Sequence, residues 1–220
     1  LGENPANRAA NRVVLRYPQP FAIEDLAATI GSGDSEVRMA ADSLTGSFAG
    51  DVAGAFSGGT ARLAAVPFDL DAITGRWSFA DSVLLLDNAA FTLSDRPAEG
   101  EARFVPLTAN GASLTLADNR ITADALLRHP ESGRGVANVA ITHNLDTATG
   151  RARLSVPGLV FDKTLQPEDL TYLAKGVIAL ADGTITGEGR VDWNGEAITS
   201  SGTFGSDGFD LAAAFGPVRG

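Results

Sequence analysis

Apolar and polar residues alternate along this chain with a period of two. That pattern leaves few folds open, because only a β-strand sends successive side chains to opposite faces. From Leu44 to Phe56 the even positions read Leu44, Gly46, Phe48, Gly50, Val52, Gly54 and Phe56, against Thr45, Ser47, Ala49, Asp51, Ala53 and Ala55 at the odd ones. From Ile185 to Trp193 one face carries Ile185, Gly187, Gly189, Val191 and Trp193, and the other Thr186, Glu188, Arg190 and Asp192. An Asn194-Gly195 dipeptide then predicts a hairpin. The next strand sets Ile198, Gly202 and Phe204 against Thr199, Ser201 and Thr203, and Ser206-Asp207-Gly208 reads as a turn into Phe209, Leu211, Ala213 and Phe215.

Weaker alternation covers Ala61–Val66, Ile73–Phe79, Val83–Leu93, Ala102–Leu107, Ala112–Leu116, Ile121–Leu127, Val136–His143 and Ala152–Val156. Asn110-Gly111, Asp118-Asn119, Asp182-Gly183 and Asp207-Gly208 tolerate positive φ and read as the turns between them. About a dozen short strands result, and side by side they would reach about 55–60 Å. A sheet of that width must curl, close, split into a sandwich or wind as a solenoid. The fold class is all-β, with a long curved antiparallel sheet, a sandwich and a solenoid as its forms. Two segments carry helical spacing. Ile23, Leu26, Ala27 and Ile30 follow Pro20, predicting a short helix over 21–30, and Gln166-Pro167-Glu168-Asp169-Leu170 with Lys175-Gly176 behind it predicts another over 167–175. Both open on Gln-Pro and contain Glu-Asp-Leu, a pair of matches that good capping chemistry explains as well as duplication does. No linker interrupts the pattern, so 1–220 reads as one continuous β body, expected to be a piece excised from a longer protein.

Charge excludes one class of partner. Asp and Glu number 27 against 17 Lys and Arg, a net charge of −10, and only Lys163 and Lys175 are lysines. Such a surface repels phosphate backbones, so no nucleic acid is expected. Cysteine is absent, which removes thiolate metal sites, thiol nucleophiles and disulfides together. No apolar run approaches the roughly 18 residues of a membrane-spanning helix.

Catalytic patterns are missing in their informative forms: there is no phosphate-cradling loop ending in Lys-Ser/Thr, no dinucleotide fingerprint and no Gly-x-Ser-x-Gly elbow. His129 and His143 lack metal-ligand spacing and read as surface or edge histidines. Asp69 and Asp71 are not followed by the glycine and distal Glu of a calcium loop. Glu188 and Asp192 flank Arg190 on one strand face, which reads as a charge-balanced outer surface rather than a pair of catalytic carboxylates. Neither an enzyme nor a metal or cofactor site is expected.

What remains is a large amount of one-sided apolar strand surface. Phe48, Phe56, Phe79, Trp193, Phe204, Phe209 and Phe215 fit either a packed core or the lining of a trough, and a trough of this size needs a lid, a partner or an apolar ligand. From Gly158 onward, Gly-Leu-Val-Phe-Asp, Leu-Gln-Pro-Glu-Asp-Leu, Leu-Ala-Lys-Gly-Val-Ile-Ala, Gly-Arg-Val-Asp-Trp-Asn and Phe-Gly-Pro-Val-Arg-Gly resemble the YdbH-like proteins of Gram-negative envelopes, within the AsmA-like and TamB group. The likeness also reaches back to Ser43–Leu70. The resemblance implies a curved β-sheet forming an apolar groove, an inner-membrane anchor outside this segment, a periplasmic location, and phospholipid carried toward an outer-membrane partner. It brings no catalytic residues. On that reading phospholipid or another acyl-chain lipid is the ligand, with Phe48, Val52, Phe56, Ile185, Val191, Trp193, Ile198, Phe204, Leu211 and Phe215 as the expected wall. Ile23, Leu26, Ile30, Leu170 and Leu173 are candidates to cap or constrict it.

Overall fold

A β-strand satisfies its backbone only by pairing, and here each strand pairs with the next one in sequence. The computed structural model describes residues 18–30, 36–48, 52–63, 66–194 and 197–213. They form one sheet of 11 strands in sequence order. These are β1 (Gln19–Ile30), β2 (Val37–Phe48), β3 (Val52–Leu63), β4 (Phe68–Ala80), β5 (Val83–Asp95), β6 (Leu107–Ala117), β7 (Arg120–Arg128), β8 (Gly135–Asn144), β9 (Thr149–Phe161), β10 (Ile178–Trp193) and β11 (Ile198–Ala213). Every neighbouring pair is antiparallel, and β1 and β11 remain opposite edges. The sheet is therefore open and curved, and of the expected forms neither the sandwich nor the solenoid is realised.

The strands are longer than the alternation predicts because most of them change phase midway. In β5, Leu84 and Leu86 share a face with Leu116 and Leu114 of β6, yet beyond Asn88 it is Ala89, Phe91 and Leu93 that meet Ala112, Ala109 and Leu107. Asn88 has φ 48° and takes up the odd residue. Positive φ recurs at Asp25 in β1, Gly58 in β3, Ala72 in β4, Gly111 in β6, Gly158 in β9 and Gly208 in β11. At each the apolar set switches between odd and even positions while staying on one side of the sheet. Where the register shifts these are β-bulges, which insert a residue, bend the strand and raise its twist, while at Asp25 β2 changes phase at the same point and the β1–β2 register is unshifted. β7 and β8 keep one phase throughout, with Ala123 and Ala125 facing Ile141 and Val139.

The phase changes account for two of three corrections. Asn110-Gly111, Asp182-Gly183 and Asp207-Gly208 lie inside β6, β10 and β11 rather than between strands, since a residue at positive φ serves a bulge as well as a turn. Of the four dipeptides only Asp118-Asn119, with φ 49° and 54°, makes a hairpin turn. The segment 21–30 is strand β1 and not a helix. Its phase change at Asp25 puts Ile23 and Leu26 three residues apart on one face, which imitates helical spacing. The segment 167–175 holds two single 3₁₀ turns, Pro167–Asp169 and Tyr172–Ala174, in place of one helix. Gly195, at the β10–β11 turn, lies outside the described residues.

Among the described residues no second layer covers the sheet. The accessible surface is 14696 Å², whereas a compact globule of this mass exposes about 9,500 Å². The buried apolar residues form two clusters, one of Leu159, Phe161, Leu165 and Ala181, the other of Leu107, Ala109 and Leu127. Both lie where the chain segments between strands fold back onto the sheet.

The bulge at Ala72 forces a side chain into the left-handed region. Ala72→Gly should raise stability by about 0.5–1 kcal/mol, and Ala72→Val should lower it by more than about 1 kcal/mol. Urea midpoints at constant slope would show both shifts.

Candidate functional site

The register turns the period-two alternation into apolar rows running across the strands. One row runs through Phe48, Val52, Phe79, Leu84, Leu116, Ile121, His143, Gly150, Trp193 and Ile198. The next runs through Phe21, Gly46, Gly54, Trp77, Leu86, Leu114, Ala123, Ile141, Ala152 and Val191. Most of these side chains are only half buried, and Phe48 (45%), Phe79 (48%), Ile198 (59%) and Phe204 (78%) are exposed. This is an apolar wall that, over much of its length, no other described residue covers.

The aromatics keep the wall thin by lying over glycines of neighbouring strands. The Phe21 ring covers Gly46, Phe56 covers Gly75, Trp193 covers Gly150 and Phe204 covers Gly187, so closely that a Cβ at any of these glycines would meet the ring. Phe21 packs on Phe48 at 5.3 Å and on Trp77 at 6.1 Å, and the Trp77 indole N–H donates to the Thr45 carbonyl at 3.0 Å. Rings laid flat in this way fill the missing side-chain volume of the glycines and leave the space above the sheet open.

The opposite face is polar and charge-paired. Asp192 accepts from Arg151 Nε at 2.7 Å and pairs also with Arg190, and Glu188 accepts from Ser155 at 2.7 Å. Arg190 and then Arg151 hold the Asp192 carboxyl down at about 2. The Glu188–Arg190–Asp192 stretch is thus a salt-bridged outer surface, as its alternation predicts. The histidines differ from expectation. His129 is buried in the β7–β8 connection, where Ser132 N–H donates to its Nδ1 at 3.2 Å, and His143 lies on the apolar face, where Trp193 Nε1 donates to its Nδ1 at 3.1 Å. A lone histidine in a strand carries no signal for a partner 50 residues away.

Of the expected wall residues, Phe48, Val52, Phe56, Ile185, Val191, Trp193, Ile198, Phe204 and Leu211 all fall on the apolar face. They sit in two groups, on β2–β3 and on β10–β11, with six strands between them. Phe215 lies outside the described residues. Leu84, Leu86, Leu114, Leu116, Ile121 and Ile141 join the two groups into one surface. Their strands alternate too, but with leucine and alanine where the outer strands carry aromatics.

Two connections fold across this face. Arg96–Pro106 leaves β5 and Asp162–Val177 leaves β9, and they meet where Phe104 and Thr171 form an antiparallel bridge. Val105 N–H donates to the Leu170 carbonyl at 3.0 Å and Tyr172 N–H to the Arg103 carbonyl at 3.1 Å. The Ala102–Leu107 alternation thus belongs largely to a connection rather than a strand. Arg103 pairs with the enclosed Asp95 carboxylate at 2.5 Å, and Arg134, from the β7–β8 connection, with Asp162 at 2.5 Å. Arg103 lowers the Asp95 carboxyl, and Arg134 followed by Thr164 holds Asp162 far below the usual carboxylate range.

These carboxyls have folded values below the ordinary 3.8, so their contribution is complete above that value and is lost as pH falls through the folded one. Stability from these pairs should be level from about pH 5 to 8 and decline below about pH 4. Asp192→Asn should lose less stability than the parent between about pH 5 and 2.5, read by urea melts across that range.

Among the described residues no helix is long and apolar enough to cross a membrane, and no group of His, Asp or Glu is arranged to hold a metal ion. No curated protein and no solved structure matches the chain. A family model described as YdbH-like, intermembrane phospholipid transport protein YdbH, matches residues 16–220.

Proposed function

The chain belongs to the YdbH-like family, whose description is intermembrane phospholipid transport, and from that membership we propose that the apolar face is a groove wall on which phospholipid acyl chains travel. The observation that carries the reading is the wall itself: rows of apolar side chains from β2 to β11, mostly half exposed, with no second layer over them among the described residues. Exposed apolar surface of this extent is unstable in water unless something apolar covers it.

The mechanism is passive. Each methylene fully removed from water gains about 0.8 kcal/mol. A tail with ten methylenes half covered against the sheet therefore gains about 4 kcal/mol. The headgroup remains at the open rim in water, so it is never dragged through hydrocarbon. The sheet measures about 48 Å from β1 to β11 if flat, and one leaflet of a bilayer is about 15 Å of hydrocarbon, so a tail lying along the rows spans about three strands. Few polar side chains stand on these rows, Gln19, His143 and Ser200 among them, so binding is governed by chain packing and has low headgroup specificity. Wall residues are Phe48, Val52, Phe56, Ile185, Val191, Trp193, Ile198, Phe204 and Leu211, together with the Leu86, Leu114 and Ile141 centre. The segment works as part of a longer periplasmic bridge, with an inner-membrane anchor outside it and a partner toward the outer membrane, and without catalytic chemistry.

Protein purified without detergent and extracted with organic solvent should yield about one to three phospholipids per chain by mass spectrometry, from the length ratio above. Folded protein carrying none would remove the reading. Leu114→Asp should lower occupancy about tenfold, the equivalent of 1.4 kcal/mol, whereas Thr122→Asp on the opposite face should leave it unchanged.

A further inference from the structure

The bulges divide the apolar face lengthwise into two limbs. One limb holds the rows through Leu84 and Leu86, from Phe48 and Phe21 at one end to Ile198 and Val191 at the other. The other limb lies beyond Asn88, Gly111 and Gly158, and holds Phe91, Leu93, Leu107, Ala109, Leu127, Ala137, Leu159 and Phe161. Among the described residues only this second limb is covered, and the cover is the pair of connections that meet at Phe104 and Thr171.

The cover is built to stay in place. Leu165 is fully enclosed against Leu159, Phe161 and Ala181. Leu170 packs against both buried clusters, touching the Leu159–Phe161 side and the Leu107–Leu127 side together. Gln166 ties the connection to β10 through both backbone groups of Ala181, accepting its N–H at 2.8 Å and donating to its carbonyl at 2.9 Å. Thr171 donates its hydroxyl to the Arg103 carbonyl at 2.6 Å, closing one connection on the other. Leu173, by contrast, is 72% exposed and touches neither cluster.

We propose that this strap is a fixed constriction in which Leu165 and Leu170 occupy the second limb in place of an acyl chain, so that across β5–β10 both tails of a lipid are confined to the limb carrying Leu86, Leu114 and Ile141. The inference rests on the acyl-chain reading of the face and adds the route. Leucine side chains seated on an apolar row give it hydrocarbon contact in place of a lipid tail's, and they arrive already tethered, without the entropy a free tail loses on binding. The strap's hydrogen bonds and ion pairs hold those leucines down, which makes it a standing obstacle. Along β1–β4 the described residues carry no such cover, so the constriction is local and its position along the sheet sets where two-limb lipid binding ends.

The test uses β5, which carries both limbs on one strand. The chain has no cysteine, so Leu86→Cys and Leu93→Cys each take a single bimane label. Both proteins are incubated with vesicles of a phosphatidylcholine brominated on its acyl chains, a short-range quencher. Quenching at position 86 should exceed that at position 93 at least threefold. In the Leu165→Ala/Leu170→Ala background, quenching at position 93 should rise to match position 86. Equal quenching at the two positions in the parent would overturn the constriction while leaving the acyl-chain reading intact. No quenching at either would overturn the acyl-chain reading and the constriction with it. The comparison of the two parent positions decides the matter even where the doubly truncated strap fails to fold.

Discussion

The rest of this structure depends on one geometric requirement, that a strand may bend without moving its apolar residues to the other side of the sheet. A strand with strict alternation cannot do this by gentle curvature alone, because any inserted residue flips every side chain after it. Here the sequence changes parity at the same point where the backbone enters the left-handed region, as at Asn88 between Leu86 and Ala89. The insertion and the parity change cancel. One face stays apolar on both sides of the bend, and the bends of successive strands fall next to one another, Gly58 beside Asp42 of β2 and Ala89 opposite Ala112 next to Gly111. The sheet acquires a crease along its length instead of scattered kinks.

Once the face is continuous, the means of keeping it usable follow from its amino acids. Large rings would fill the concavity if they stood upright, and they lie flat because glycines in the neighbouring strands make room for them. The opposite face binds itself together with Arg–Asp pairs such as Arg151–Asp192, so the sheet has one wet side and one dry side. In the function proposed for this member of the YdbH-like family, the dry side would shelter hydrocarbon while headgroups stay in water. The strap modifies the same surface from within, using leucines of the chain itself.

Much of this was legible from residues alone. Strand character and the identity of the apolar face were readable at Leu44–Phe56 and Ile185–Trp193, because those stretches lie wholly on one side of a bulge and hold one phase. The strand at Gln19–Ile30 was not, since a parity change between Ile23 and Leu26 produces the same three-residue spacing as a helical turn. Three of the four positive-φ dipeptides lie inside strands and only Asp118-Asn119 makes a turn: Asn110-Gly111 meets the conformational need of a bulge and of a turn equally well, and only the partner strand distinguishes them. The central wall residues Leu114 and Ile141 carry ordinary strand composition, and their importance comes from the strands on either side. The meeting of Phe104 with Thr171 has no local signal at all, because it depends on where two connections end up after nine strands have stacked.

The strictly sequential strand order also determines how such a chain reaches its native state. Every strand pairs with its immediate predecessor, so each step except those over Arg96–Pro106 and Asp162–Val177 closes a short loop, and the sheet can grow from a hairpin outward in the manner of a repeat array. The strap is the exception, joining Thr171 to Arg103 across 68 residues. Each doubling of a loop costs only about 0.6 kcal/mol, but the cost must be met before the contact forms. Pairing of β6 through β9 meets it in advance by bringing the two connections side by side. The strap's contacts therefore follow the pairing of β6 through β9 rather than lead it.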